Sequence, residues 1–277
     1  MPQLLNTSFP GFALPASAPK AALIIVHGLV EYAGRYESTA RTLGERGISC
    51  FAFDQRGHGD RPGAPAHVAR FDEFVDDLHV ATDAVHTHIA RTPLFIWGHS
   101  MGAIVATLAA LDSRAPLAGV ITSSNSLEVF RRGLNPLNPF FRLAAQVFPR
   151  VRIPLGLDAA KISSDESVQR AYATDPKIPP TASLRLIVEF AAACERCRDA
   201  APRLTIPWLV VHGEADKIAP SHGSQVLFDR LGSADKKLVT YPGLRHEVHN
   251  EQPAARAAFL DLLTQWILER AEREIVR

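Results

Sequence analysis

Several things that define whole classes of protein are scarce in this sequence. Only three cysteines occur, Cys50, Cys194 and Cys197, too few for a disulfide framework and suited to a reducing compartment. Charge of one sign is missing as well: Lys plus Arg is 30 against 29 for Asp plus Glu, a formal net charge of +1. No global field would therefore draw the chain to nucleic acid or to anionic lipid. No run of 18 apolar residues occurs, which excludes a transmembrane helix and stable membrane insertion. No basic stretch follows Met1, and Asn6, Thr7, Pro10 and Pro15 interrupt the apolar residues up to Pro19, so Ala16-Ser17-Ala18 is a weak cleavage signal and a cytoplasmic location is expected. Internal repeats, low-complexity tracts and long charge runs are absent too.

What is present is an ordinary globular balance, 47% hydrophobic and 21% charged. The 277 residues correspond to about 1.8 domains at roughly 150 residues each, which fits one large α/β domain with an insertion. Short β-rich runs alternate with longer helical patterns, the signature of a parallel sheet covered on both faces. Strands are expected at Leu23 to Val26, Ile48 to Phe53, Leu94 to Trp97, Gly119 to Thr122, Trp208 to Val211 and Lys237 to Tyr241. Phe71, Phe74, Val75, Leu78, Val85 and Ile89 fall on one helical stripe, and Met101 to Leu111 reads as a helix rich in Ala and Leu.

That rhythm stops after Asn125 and resumes at Pro207. The stretch between has Pro136, Pro139, Pro149, Pro154, Pro176, Pro179 and Pro180 among short apolar clusters, so it is no plain crossover. It reads as an inserted cap carrying Phe130, Leu134, Leu137, Phe140, Phe141, Leu143, Val147 and Phe148, with a helical segment from Ser183 to Asp199. The expected division is a core of residues 1–125 and 202–277 and a cap of residues 126–201.

Gly98-His99-Ser100-Met101-Gly102 matches Gly-x-Ser-x-Gly in its required setting, after a strand and before a helix. A serine at the tip of so tight a turn sits in a strained backbone conformation, and its neighbours two residues away must lack side chains. The following helix N-terminus offers a free N–H and a positive dipole end for a developing oxyanion. A serine needs a base oriented by a carboxylate, and in such folds the chain order is Ser, then Asp or Glu, then His. Asp216, in the loop past the Trp208 strand, is the expected carboxylate, with Glu214 the competitor. His246, after the last strand, is the expected base. His249 is its alternative, placed where the closing helix begins. The second oxyanion donor, besides the Met101 N–H, is the Leu29 N–H in His27-Gly28-Leu29. Glu31 and Arg35 lie near that loop and either recognise a polar head group or brace the loop, bracing being preferred. Cys194-Glu195-Arg196-Cys197 has no preceding strand and no second pair, so a redox or zinc role is not expected.

Five segments now converge. His27 to Tyr36, Asp54-Gln55-Arg56-Gly57-His58-Gly59, Gly98 to Gly102, Val211 to Asp216 and Tyr241 to Glu247 resemble α/β-hydrolases of the monoacylglycerol lipase and lysophospholipase group, sometimes grouped with serine aminopeptidases. Ala173-Thr174-Asp175-Pro176 in the cap is similar too. The resemblance implies the α/β-hydrolase fold, a mostly parallel doubly wound sheet with an inserted cap. It implies hydrolysis of a neutral carboxylic ester through an acyl-enzyme without cofactor or metal, with a small-molecule ester or lipid as partner. Ser100 would be nucleophile, Asp216 the orienting acid, His246 the base, and Leu29 and Met101 the oxyanion donors. The sequence departs from the family at Asp60-Arg61, where a serine usually follows Gly57-His58-Gly59, and in its short, Pro-rich N-terminal segment. Two other readings remain. An aminopeptidase or amidase would need a cap carboxylate for a free amino terminus, from Glu128, Asp158, Asp165, Glu166, Glu189 or Glu195; a non-catalytic ligand-binding scaffold would not need the triad.

Overall fold

The computed structural model describes residues 9–89, 92–113, 115–130 and 135–276, so Leu134 and the first eight residues lie outside it. In chain order the elements are β1 (Gly11–Leu14), β2 (Ala21–Val26), α1 (Glu37–Glu45), β3 (Ile48–Phe53), α2 (Asp72–His88), β4 (Leu94–His99), α3 (Met101–Ala109) and β5 (Gly119–Ser123). There follow α4 (Pro139–Val147), β6 (Arg152–Pro154), α5 (Glu166–Thr174), β7 (Thr181–Ser183) and α6 (Leu184–Ala200). The chain closes with β8 (Trp208–Gly213), α7 (His222–Arg230), β9 (Lys236–Tyr241) and α8 (Pro253–Val276).

Seven strands form one sheet in the order β1-β3-β2-β4-β5-β8-β9, parallel except for β1, which pairs antiparallel with β3. Every residue of β2, β3, β4, β5 and β8 is buried, which explains their unbroken apolar runs. The period of two sorts them between layers. Ala22, Ile24 and Val26 join one core with Phe74 and Leu78 of α2, Ile104 of α3 and Phe190 of α6. Ala21, Leu23 and Ile25 join the other with Leu43 of α1 and Phe259, Leu263 and Trp266 of α8. The sheet is thus doubly wound.

The six expected strands are all found, with β4 and β8 running two residues further, so that Gly98-His99 and His212-Gly213 belong to the sheet. The edge strand β1 and the small β6-β7 pair had no clear sequence signal. The 184–200 helix matches the expected Ser183 to Asp199 segment, with Ser183 accepting from the Leu186 N–H as its N-cap. Parallel register does the positioning. Val26 lies opposite Gly98, His99 opposite Ser123, Ser123 opposite Val211 and Gly213 opposite Tyr241, so the loops after β2, β4, β5, β8 and β9 emerge side by side. The sheet starts to β1 and β3 on one side of β2 and to β4 on the other, so the β2 and β4 loops flank the point where strand order reverses, the usual ligand crevice of an open α/β sheet.

Candidate active site

Ser100 sits between β4 and α3 with φ 53° and ψ −117°, a left-handed turn outside the region that L residues favour. The glycines around it are there for space. A Cβ on Gly98 would fall on the Gly102 carbonyl, and one on Gly102 would fall on the carbonyls of Val26 and His27, at and just past the end of the neighbouring strand. The turn is tied down by the Ser100 N–H, which donates to Ser123 O at 3.0 Å. α3 is buried along its whole length, which is why it is built from Ala, Gly and short aliphatic residues. Its first N–H, that of Met101, has no partner within the helix and lies at the positive end of the helix dipole.

Asp216 and His246 are brought together at 2.6 Å, Oδ2 to Nδ1, 30 residues apart in the chain. In that arrangement Nδ1–H donates and Nε2 is left free to accept a proton. The Asp216 side chain is fully buried and every acceptor site is engaged. Oδ1 accepts from the backbone N–H groups of Ile218 and Ala219, at 2.8 and 2.9 Å. Oδ2 also faces His212 Nε2 at 3.0 Å, a partner the sequence does not announce although His212 stands within the Val211 to Asp216 segment. His212 Nε2 has two acceptors before it, Asp216 Oδ2 and Ala219 O, so it carries the hydrogen, and Nδ1 accepts from the Ser224 hydroxyl at 2.7 Å. Burial alone would disfavour the charged carboxylate, yet the His246 charge and the bonds from both histidines outweigh it and hold Asp216 well below the usual carboxylate range. Burial likewise opposes a charged His246, but Asp216 wins and raises it above its ordinary 6.5.

The competitors go elsewhere. Glu214 is exposed and accepts from the Thr240 hydroxyl at 2.7 Å. His249 is buried, stacked on Tyr36 at 4.7 Å and edge-on to Trp97 and His99, with both ring nitrogens unpartnered among the described residues. Burial drives its pKa down to about 3, so it stays neutral.

Ser100 and His246 line one cavity of about 280 Å³ together with Leu29, Glu31, His99 and Ser126. Ser100 Oγ lies 3.1 Å from Ser126 Oγ, a second hydroxyl beside it that no motif announced. Leu29 lines the cavity from a strained loop, Val30 having φ 52°. That loop is held from both sides. His27 Nε2 accepts from the Gln55 N–H at 2.9 Å, so Nδ1 carries the hydrogen and donates to Gly28 O at 2.8 Å. On the other side Glu31 accepts from the Gly28 N–H and from Tyr36 OH. Arg35 then bridges Glu31, at 3.1 Å, and Glu247, next to His246, at 2.5 and 2.8 Å, all nearly buried. Burial pushes Glu31 up to about 7, with Arg35 opposing; at Glu247 the Arg35 charge overcomes burial and keeps the carboxyl low. This cluster braces the Leu29 loop against the His246 loop.

The rest of the cavity wall comes from the segment between β5 and β8 and is mostly apolar, including Phe130, Leu155, Leu157, Ile187 and Phe190, with Tyr172 under the Arg35 guanidinium. Asp60, at the departure from the family pattern, pairs with Lys177 of that segment at 2.6 Å. The three cysteines are free and buried, and no group of metal-ligating side chains occurs among the described residues.

A family described as serine aminopeptidase, S33, a hydrolase family, matches residues 17–253 of the chain. The chain belongs to that family. It is 32% identical over 261 residues to the monoacylglycerol lipase of Mycolicibacterium smegmatis, covering 92% of this chain and 90% of the relative. It is 31% identical to human monoglyceride lipase, covering 98% and 91%. Among solved structures, a soluble variant of the Saccharomyces cerevisiae monoglyceride lipase in complex with a substrate analogue superposes with a TM-score of 0.84 at 26% identity, covering 98% of this chain and 95% of that one. The α/β-hydrolase fold expected from the sequence is therefore borne out, and so is the resemblance that implied it.

Proposed function

We propose that Ser100 is the nucleophile, His246 the general base and Asp216 its orienting acid, and that residues 126–201 act as a cap which selects the substrate. The protein is a carboxylic ester hydrolase acting on monoacylglycerol-like substrates. Ser100 attacks the ester carbonyl as His246 Nε2 takes its proton, the N–H groups of Leu29 and Met101 stabilise the oxyanion, and the proton passes to the leaving alcohol. Water then attacks the acyl-enzyme by the same route. The observation that carries this reading is the doubly tethered, fully buried Asp216 bonded to His246 on the same sheet edge that presents Ser100 in a left-handed turn.

An apolar wall and a cavity of about 280 Å³ suit a short-to-medium acyl chain, at the small end of the ~300–1,000 Å³ common for ligand sites. The aminopeptidase reading is disfavoured by the cap acids. Glu128 and Glu195 pair with Arg198, Glu189 with Arg185 and Glu166 with Arg170, Asp158 and Asp165 cap short helices, and none of them lines the cavity. No helix among the described residues is long and apolar enough to cross a membrane. With three unoxidised cysteines, the cytoplasm is the compartment we assign. The deciding experiment compares turnover of monoacylglycerols, a chain-length series of p-nitrophenyl esters and aminoacyl amides. Ester turnover peaking at short-to-medium chains supports the reading, and faster turnover of the amides overturns it.

A further inference from the structure

The proposed triad and oxyanion donors leave one hydroxyl of the Ser100 cavity without a task, that of Ser126. Ser126 is 2% exposed, and its Oγ bonds to Ser100 Oγ at 3.1 Å and to no other described residue. The backbone that carries it is held in place. Asn125 Oδ1 accepts from the Leu127 N–H at 2.7 Å, closing a side-chain turn around Ser126. The Ser126 carbonyl accepts from the Val129 N–H at 3.1 Å and from the Cys194 thiol at 3.5 Å.

The sheet decides from which side this hydroxyl meets Ser100. β4, which leads into Ser100, lies between β2 and β5. Leu29 stands on the loop after β2 and Ser126 on the loop after β5, so the two reach Ser100 from opposite flanks. The β5 loop is also tied to the loop of the base, because the Ser124 hydroxyl donates to His246 O at 2.5 Å. Ser126 therefore shares the His246 flank, where the leaving alcohol takes its proton and, by microscopic reversibility, where water arrives.

In the free enzyme Ser100 itself gives the Ser126 hydroxyl a partner. Acylation removes it: Ser100 Oγ becomes an ester oxygen, with no hydrogen to donate and little basicity. A buried hydroxyl without a partner is costly, and Phe130, Leu155, Leu157 and Ile187 on the covering wall offer none. We infer that Ser126 holds the hydrolytic water of the second half-reaction between its Oγ and His246 Nε2, which rests on the Ser100 acyl-enzyme being formed. Ser126 Oγ accepts one hydrogen of the water and His246 Nε2 the other, which turns the water's lone pair toward the acyl carbonyl. The water oxygen bonds to the carbonyl carbon as the proton on the His246 side passes to Nε2. Collapse of the tetrahedral intermediate then breaks the bond to Ser100 Oγ, and His246 returns the proton to that oxygen. The free acid leaves, and Ser126 regains Ser100 as its partner.

The test follows p-nitrophenyl butyrate hydrolysis by the whole protein and by its Ser126→Ala and Ser126→Thr variants in stopped flow, with acid-quenched samples taken for peptide mass spectrometry. For an ester cleaved through an acyl-enzyme, kcat/KM reports acylation alone. Losing the water's anchor should lower kcat and KM together in Ser126→Ala, each by about tenfold for one hydrogen bond, and leave kcat/KM unchanged. The burst of p-nitrophenol should grow, and the acyl adduct on the Ser100 peptide should live about ten times longer. Ser126→Thr keeps the hydroxyl and should recover most of the wild-type kcat. A fall in kcat/KM without a longer-lived adduct overturns the inference, because it assigns Ser126 to packing or to acylation. Wild-type kcat and adduct lifetime in Ser126→Ala overturn it as well. An adduct on Ser100 that decays equally fast in all three proteins removes this inference alone, whereas no adduct on Ser100 in any of them removes the Ser100 reading with it.

Discussion

Along the C-terminal edge of the sheet three non-glycine residues, Val30, Ser100 and Ser124, take positive φ, whereas among the described residues between 126 and 201 Gly156 alone does so. The first region is held by backbone. Ser123 O, Val211 O and Tyr241 O accept from the loops beside them, and the Ser124 hydroxyl donates to His246 O. The second consists of two nine-residue helices, two three-residue strands and the longer α6, with Phe130, Leu155, Leu157, Ile187 and Phe190 on the cavity wall and Phe140, Leu143 and Val147 exposed to solvent. Strain is kept where the sheet can over-determine it, and the proposed selectivity of the covering segment would rest on side chains that can change without disturbing the edge.

If that division holds, substitutions on the edge should act on rate or fold, and those in the covering segment on preference. The largest effect is expected for Ser100→Ala, a loss on the order of 10⁴-fold or more in p-nitrophenyl ester turnover with an unchanged melting temperature; a smaller loss would place the nucleophile elsewhere. Asp216→Asn should cost about 10³- to 10⁴-fold in kcat. It should also move the pH profile. The base must be neutral, so kcat/KM of the wild type rises with pH through the His246 pKa. Because Asp216 raises that pKa, the acid limb should lie above 6.5 and fall when the charge is removed. Gly102→Ala, whose Cβ meets the Val26 and His27 carbonyls, should destabilise by about 3 kcal/mol in a denaturant titration. Ile187→Ala, in the covering segment, should shift the preferred acyl length with a roughly tenfold change between neighbouring esters and leave the acetate ester almost untouched. A comparable loss on all esters would erase the distinction between the regions.

The same contrast explains what could be read in advance. The sheet strands are buried on both faces and announce themselves as apolar runs, and the elbow needs glycines at fixed spacing, so β2 to β5, Ser100, Asp216 and His246 are visible in one dimension. β1 is four residues between Pro10 and Pro15, and its pairing with Phe53 to Cys50 depends on chain nearly 40 positions away. The Arg35 to Glu247 pair spans 212 residues and leaves no periodic trace. Ser126 reaches Ser100 through the register of β4 and β5, which local pattern does not encode, and His212 meets Asp216 only because the loop after β8 folds back on the strand end. Asp60, where the chain departs from the family pattern, pairs with Lys177, 117 residues further on, a contact that no local pattern encodes.

The account turns on Ser100 as a nucleophile activated by His246. A fluorophosphonate probe followed by peptide mass spectrometry tests it most directly. The adduct should fall on the peptide containing Ser100, with a labelling rate that rises with pH through the raised His246 pKa and collapses in Asp216→Asn. An unlabelled protein, or an adduct on Ser126 with Ser100 free, would contradict it.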